Sequence, residues 1–201
     1  MIPTVSTTQE QVDALVLASM PHQGQWSEAQ YLWLTDHTNR LIEFIDGSID
    51  VLPVPTDRHQ TILLFLCAQF HAALVKVGGK VLVAPLRLRI SERHYREPDL
   101  LLLQDARDPR RQDRYWSGAD VVVELVSPDH PERDTVQKRH AYALAGIPEY
   151  WLVDLQQESI VVLQLVETEY VVYGVFERGR QATSSRLERF VVDVNAVFDA
   201  D

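Results

Sequence analysis

The chain has 201 residues, enough for one α/β domain with a sizeable core and short for two. A composition of 46% hydrophobic and 24% charged residues excludes a disordered chain, and the single cysteine, Cys67, excludes a disulfide framework or a thiolate zinc site. The formal net charge of −10 argues against broad, sequence-independent nucleic-acid binding, so any such contact must use a local basic patch.

Met1 to Met20 lack the basic start and apolar core of a secretion signal, and no later apolar run reads as long enough to span a bilayer. The expectation is a cytoplasmic protein without a membrane partner, with residues 1–26 as an N-terminal extension and 27–201 as a single domain. From Ser27, a suitable N-cap, WSEAQYLWLTDHTN predicts a short helix outside the main sheet, with Leu32 and Trp33 on its apolar face. LIEFI and SIDVLPV follow as strands joined by Asp46-Gly47, a tight-hairpin signal. Thr56 or Asp57 caps a helix from about Arg58 to Val77, where Ile62, Leu63, Leu66, Phe70, Ala73 and Leu74 recur at helical spacing before Gly78-Gly79 ends it.

KVLVAP, the alternating LRLRI and the apolar PDLLLL read as short strands, and the charged loop QDARDPRRQDRYWSGAD separates them from the strand VVVELVSP. A helix from Glu132 to Ala145 closes on Gly146 and Pro148, and EYWLVD resumes a strand. SIVVLQLV, EYVVYGVF and LERFVVDV read as antiparallel strands. This order predicts an α/β (α+β) fold, a mixed central sheet flanked by helices with additional antiparallel strands at both ends.

Glu124 lies inside the apolar run Val121 to Val126, where a carboxylate must be paired, metal-bound or protonated. Its structural alternative is an ion pair with Arg87 or Arg89. Asp99 precedes Leu100 at the start of another buried strand, and two neighbouring strands would bring both acids together as oxygen ligands for Mg²⁺ or Mn²⁺. The competing reading of Asp99 is a polar residue at a Pro98 turn. Lys138 shares a stripe with Tyr142 and Ala145, while the apolar Val136, Ala143 and Ile147 lie on nearly the opposite side, so spacing alone also allows a solvent-facing lysine.

Glu43 interrupts an apolar strand and is either a third acidic ligand or an outward-facing residue of a half-buried strand. Arg58 and His59 open the long helix, where the positive dipole end favours anions, although a capped surface turn has the same sequence. Arg107, Arg110, Arg111 and Arg114, with Tyr115 and Trp116, form a local basic cluster; Arg110 and Arg111 are the candidate nucleic-acid contacts, and a solvated loop is the alternative. The histidines offer no metal spacing, and neither a GxxxxGK nor a GxSxG run is present.

LIEFIDG, Arg58-His59-Gln60, EPDLLLL, VVVELVSP, DTVQKRHAYALAGIPEYWLVD and the β-rich tail together resemble the Uma family of putative restriction endonucleases, of the PD-(D/E)XK nuclease superfamily. The resemblance covers most of the chain and implies a restriction-endonuclease-like fold, with Asp99 and Glu124 as catalytic metal ligands. Val126 stands where the simplest motif carries its lysine. The family's usual resolution, a lysine from the next helix, maps onto Lys138 as a catalytic residue with Tyr142 supporting the pocket, and Glu43 matches a supporting acid.

The expected reaction is Mg²⁺-dependent hydrolysis of DNA phosphodiester bonds by a homodimer, since cutting both strands needs two sites. The rival readings are a catalytically silent nucleic-acid or protein-interaction module on the same fold, and a hydrolase of small phosphate esters.

Overall fold

Ser27 caps the first helix lying wholly within the described residues, 19–201, of the computed structural model; the first 18 residues of the expected N-terminal extension lie outside the described part. The Ser27 hydroxyl accepts from the Gln30 N–H while the Gln30 side chain accepts from the Ser27 N–H, a reciprocal capping box that starts α1 (Glu28–Asp36). Tyr31, Leu32 and Thr35 are buried, whereas Trp33 is 61% exposed. The expected pairing of Leu32 with Trp33 fails because consecutive side chains diverge by more than a quarter turn around a helix.

Tyr31 stacks on Phe44 of β1 (Ile42–Ile45), which forms a hairpin with β2 (Ser48–Val51). Asp46 and Gly47 both have positive φ, as the tightest hairpins require, and a Cβ on Gly47 would meet the Gly24 carbonyl oxygen at 2.5 Å. Thr56 accepts from the His59 N–H and starts α2 (Asp57–Leu74), which continues through a 3₁₀ turn to Val77 and ends at Gly78 in the left-handed region. By length and a hydropathy of 1.5 this helix could span a membrane, which corrects the expectation that no run reaches that size. In the fold, Ile62, Leu66, Phe70 and Leu74 instead bury against a sheet.

The remaining elements are β3 (Lys80–Val83), β4 (Leu88–Ser91), β5 (His94–Arg96), β6 (Leu100–Leu103), β7 (Val121–Leu125), a π-helical turn (Arg133–Lys138) running into α3 (Arg139–Leu144), β8 (Glu149–Asp154), β9 (Ser159–Val166), β10 (Glu169–Glu177), β11 (Gln181–Thr183), β12 (Val191–Asp193) and α4 (Val194–Phe198). β5 and β11, three residues each, are too short to leave a period in the sequence.

The strands form a six-stranded sheet ordered β10-β9-β8-β7-β6-β3 and a four-stranded sheet ordered β2-β1-β5-β4, with β11 and β12 paired beside them. Within the large sheet, only β7 and β8 run parallel, joined through the π-turn and α3. This is the expected mixed sheet. Alternation along the strands makes one core with α2, around Phe70, Val123 and Trp151, and another with α3, around Leu101, Val122, Tyr142 and Tyr150. The candidate site lies on the α3 side.

Glu149, fully buried at the start of β8, ties the C-terminal segment to this sheet. Its carboxylate accepts from Trp151 Nε1, from the Ser184 and Ser185 hydroxyls and from the Ser185 and Arg186 N–H groups. Glu149→Ala strands those donors and is expected to lower stability by roughly 3 kcal/mol in chemical denaturation, with Glu149→Gln milder because it still accepts. Equal stability of Glu149→Ala and wild type would show that the loop is held by other contacts.

Candidate active site

The pairing of β6 with β7 brings the two predicted acids together. Leu100 stands opposite Val123 at the end of this ladder, and just beyond it the Asp99 side chain reaches the backbone of β7 at Leu125. One further step of this antiparallel register places Asp99 opposite Glu124, and directly opposed residues share a face. The Asp99 Oδ2 accepts from the Leu125 N–H at 2.8 Å and lies 3.4 Å from His59 Nε2 at the start of α2.

Glu124 is held from the other side. Tyr142, on α3, donates its hydroxyl to Oε1 at 2.6 Å, and Lys138 Nζ lies 2.9 Å from Oε2. Arg87 and Arg89, the alternative partners, instead face Asp36 and Glu28. Lys138 is only 3% exposed, so the solvent-facing reading does not hold. Its ammonium also lies 3.1 Å from Asp134 Oδ1 and 3.7 Å from Glu43 Oε1.

The apolar stripe misled because the π-turn changes the helical phase between Val136 and Ala143: Val136 is 62% exposed, while Asp134 and Lys138 point inward.

Glu43 faces inward and is fully buried, completing the constellation from the smaller sheet. It pairs with Arg96 of β5 and accepts from the Glu97 N–H at 3.3 Å. Arg96, Glu97 and Asp134 were not singled out in the sequence. The spacing of Asp134 and Lys138 was available as an i,i+4 acid–base pair, whereas the Glu43–Arg96 pairing depends on contact between β1 and β5.

Burial pushes the Glu124 carboxyl up to about 8, with Asp99 and Asp134 adding to the rise and Lys138 and Tyr142 opposing it. Burial works against the Lys138 charge, but Glu124, Glu43 and Asp134 outweigh it and hold the ammonium above the usual lysine range. At Glu43, Lys138 and Arg96 outweigh burial and keep the carboxyl below its ordinary value. At His59, the neighbouring Asp99 likewise outweighs burial and raises the imidazole.

Two carboxylates on adjacent strand positions supply the hard oxygen donors that Mg²⁺ or Mn²⁺ takes, with waters and phosphate oxygens completing the shell. Asp99 and Glu124 fit such an ion by this chemistry. Among the described residues, no group of three or more His, Cys, Asp or Glu side chains is arranged as a metal site.

The other predicted contacts lie apart from this cluster. Arg58 pairs with Glu158 at 2.8 Å. Arg110 is held by Asp108 and Asp120, both at 2.7 Å, and anchors the basic loop, while Arg111 donates to the Ala106 carbonyl. Arg107 and Arg111 line a cavity of about 330 Å³ with Leu82, Leu86 and Trp116.

The mixed sheet with its flanking helices is of the restriction-endonuclease-like type. The profile of the Uma2 family, described as "Putative restriction endonuclease", matches residues 28–195, and the chain belongs to that family. The fold is similar to that of a crystal structure of "a putative nuclease belonging to DUF820 from Anabaena variabilis ATCC 29413", with a TM-score of 0.63 and 19% identity over 78% of this chain and 89% of that one. None of the curated proteins compared matches the chain.

Glu97 gives the site a measurable pH signature. Its carboxyl accepts from the Ile42 N–H at 2.9 Å, yet burial raises it from an ordinary 4.5 to about 8. Between those values the folded chain keeps a proton that the unfolded chain releases, so this group's contribution to stability falls as pH rises. Glu97→Gln removes that loss and should raise the melting temperature relative to wild type more at pH 8.5 than at pH 5. A gap independent of pH would contradict the assignment.

Proposed function

We propose that this chain is a Mg²⁺- or Mn²⁺-dependent endonuclease that hydrolyses DNA phosphodiester bonds. The observation that carries the reading is the placement of Asp99 opposite Glu124 with the Lys138 ammonium 2.9 Å from Glu124. Family membership supports it. Asp99 and Glu124 would hold the ion, which supplies charge neutralisation at the phosphate and a more acidic water.

The protein's own groups supply positioning and electrostatics. The Leu125 N–H and His59 orient Asp99, while the Tyr142 hydroxyl orients Glu124. Lys138, whose ammonium is favoured by Glu124, Glu43 and Asp134, would donate hydrogen bonds to a phosphate oxygen and stabilise developing negative charge. Glu43 supplies counter-charge from β1, held in place by Arg96. Two such sites are needed to cut both strands of a duplex, so a homodimer belongs to this proposal.

A catalytically silent nucleic-acid or protein-interaction module is the second reading. It is favoured by the engagement of both Glu124 oxygens by protein donors and by the net charge of −10.

Purified protein is expected to nick supercoiled DNA when Mg²⁺ or Mn²⁺ is added. Asp99→Asn and Glu124→Gln should each abolish cleavage and weaken metal binding in calorimetry by at least about tenfold, or about 1.4 kcal/mol. A folded wild type that binds metal but cuts no DNA would leave the silent module as the better account; unchanged metal affinity in both variants would remove the site assignment.

DNA is expected to approach along the 105–116 loop, where Arg107, 3.3 Å from the exposed Asp105, and Arg111, on the Ala106 carbonyl, are held less firmly than Arg110 between Asp108 and Asp120. Arg107→Ala combined with Arg111→Ala should weaken DNA binding and reduce the slope of log affinity against log salt by about 2. An unaltered salt slope would place the contact elsewhere.

A further inference from the structure

We infer that Asp134 is the positioning residue for Lys138, fixing the ammonium over the Asp99–Glu124 pair independently of its bond to Glu124. The effect on turnover rests on the nuclease reading, but the positioning does not. Three carboxylates surround Nζ, and they are not equivalent. Glu124 belongs to the pair proposed to hold the ion, and Glu43 at 3.7 Å is beyond ordinary hydrogen-bond reach. Asp134, at 3.1 Å, is the remaining carboxylate that grips the ammonium directly.

Asp134 is itself fastened at both its side chain and its backbone. Its Oδ2 accepts from the Ser127 N–H at 3.0 Å, where the chain leaves β7, and its carbonyl accepts from the Tyr150 hydroxyl of β8 at 3.0 Å. The ammonium is therefore tied to the two parallel strands of the sheet, one of which carries Glu124. The π-turn makes this possible by directing both Asp134 and Lys138 inward in a segment where Val136 is exposed. When Glu124 turns an oxygen towards another partner, Asp134 retains Lys138, whose long side chain otherwise gains rotamer freedom.

The chain contains three lysines, Lys76, Lys80 and Lys138, so side-chain NMR of lysine-labelled protein resolves the ammonium in question, assigned by its loss in Lys138→Met. In wild type the Lys138 Nζ protons should exchange slowly with water. In Asp134→Asn, which preserves size and an acceptor for Ser127, they should exchange at least about tenfold faster while the Lys76 and Lys80 signals stay unchanged. Turnover should fall at least about tenfold with KM for DNA and metal affinity within about twofold, and Asp134→Glu should recover part of the loss.

Slow Lys138 exchange in Asp134→Asn would overturn the assignment. If that variant does not fold, Tyr150→Phe, which releases the Asp134 carbonyl, is judged by the same signal: faster exchange supports the assignment and unchanged exchange overturns it. The failure of the nuclease reading would appear separately, as an inactive wild type whose Lys138 signal still responds to Asp134.

Discussion

A buried ammonium ion is costly unless carboxylates take the place of water around it, and Lys138 meets this requirement with groups from distant parts of the chain. Glu124 comes from the large sheet, Glu43 from the small sheet and Asp134 from the connection between the parallel strands. Satisfying one charge therefore fixes three elements relative to one another. Arg96 then satisfies the outer side of Glu43, and Tyr142 the far oxygen of Glu124. Removing one member of such a buried cluster typically costs about 3–5 kcal/mol, so the arrangement that orients the site also couples the two sheets.

The same cluster explains why the acids have different protonation tendencies. Glu43 is close to two cations and stays ionised, whereas Glu124 has Lys138 on one side and two further acids, Asp99 and Asp134, near it. A cation arriving between Asp99 and Glu124 would relieve that acid–acid repulsion. The strongly acidic composition is partly spent in the same manner elsewhere: Asp36 binds Arg87 and Arg114, and Asp108 and Asp120 bind Arg110. Overall charge is thus a poor guide to the cations available to a phosphate backbone, which depend on the few arginines that the fold leaves exposed.

Much of the sheet and half of the site were legible in the sequence because they are written in local patterns. Asp46-Gly47 marked its hairpin, Ser27 and Thr56 marked helix starts, and a carboxylate within Val121 to Val126 had to be paired or functional. The placement of Asp99 beside Glu124 needed only adjacent strands in the observed register. Lys138 was ambiguous because helical spacing assumes an α-helix, and the π-turn breaks that assumption where it matters. Arg96 and Glu97 were not legible, since their partners Glu43 and Ile42 lie more than fifty residues away in sequence and meet them only after β1 and β5 pair. Spacing placed Lys138 and Tyr142 on one stripe but left their direction open, and the family resemblance favoured the inward reading.

The central claim is that Asp99 and Glu124 form a divalent-cation site beside an ordered lysine. Anomalous diffraction from crystals soaked in Mn²⁺ at the manganese edge tests it most directly. The account predicts one dominant peak between the Asp99 and Glu124 carboxylates, with Lys138 still on Asp134. A peak elsewhere, or none at Mn²⁺ concentrations that saturate the protein in solution, would contradict it.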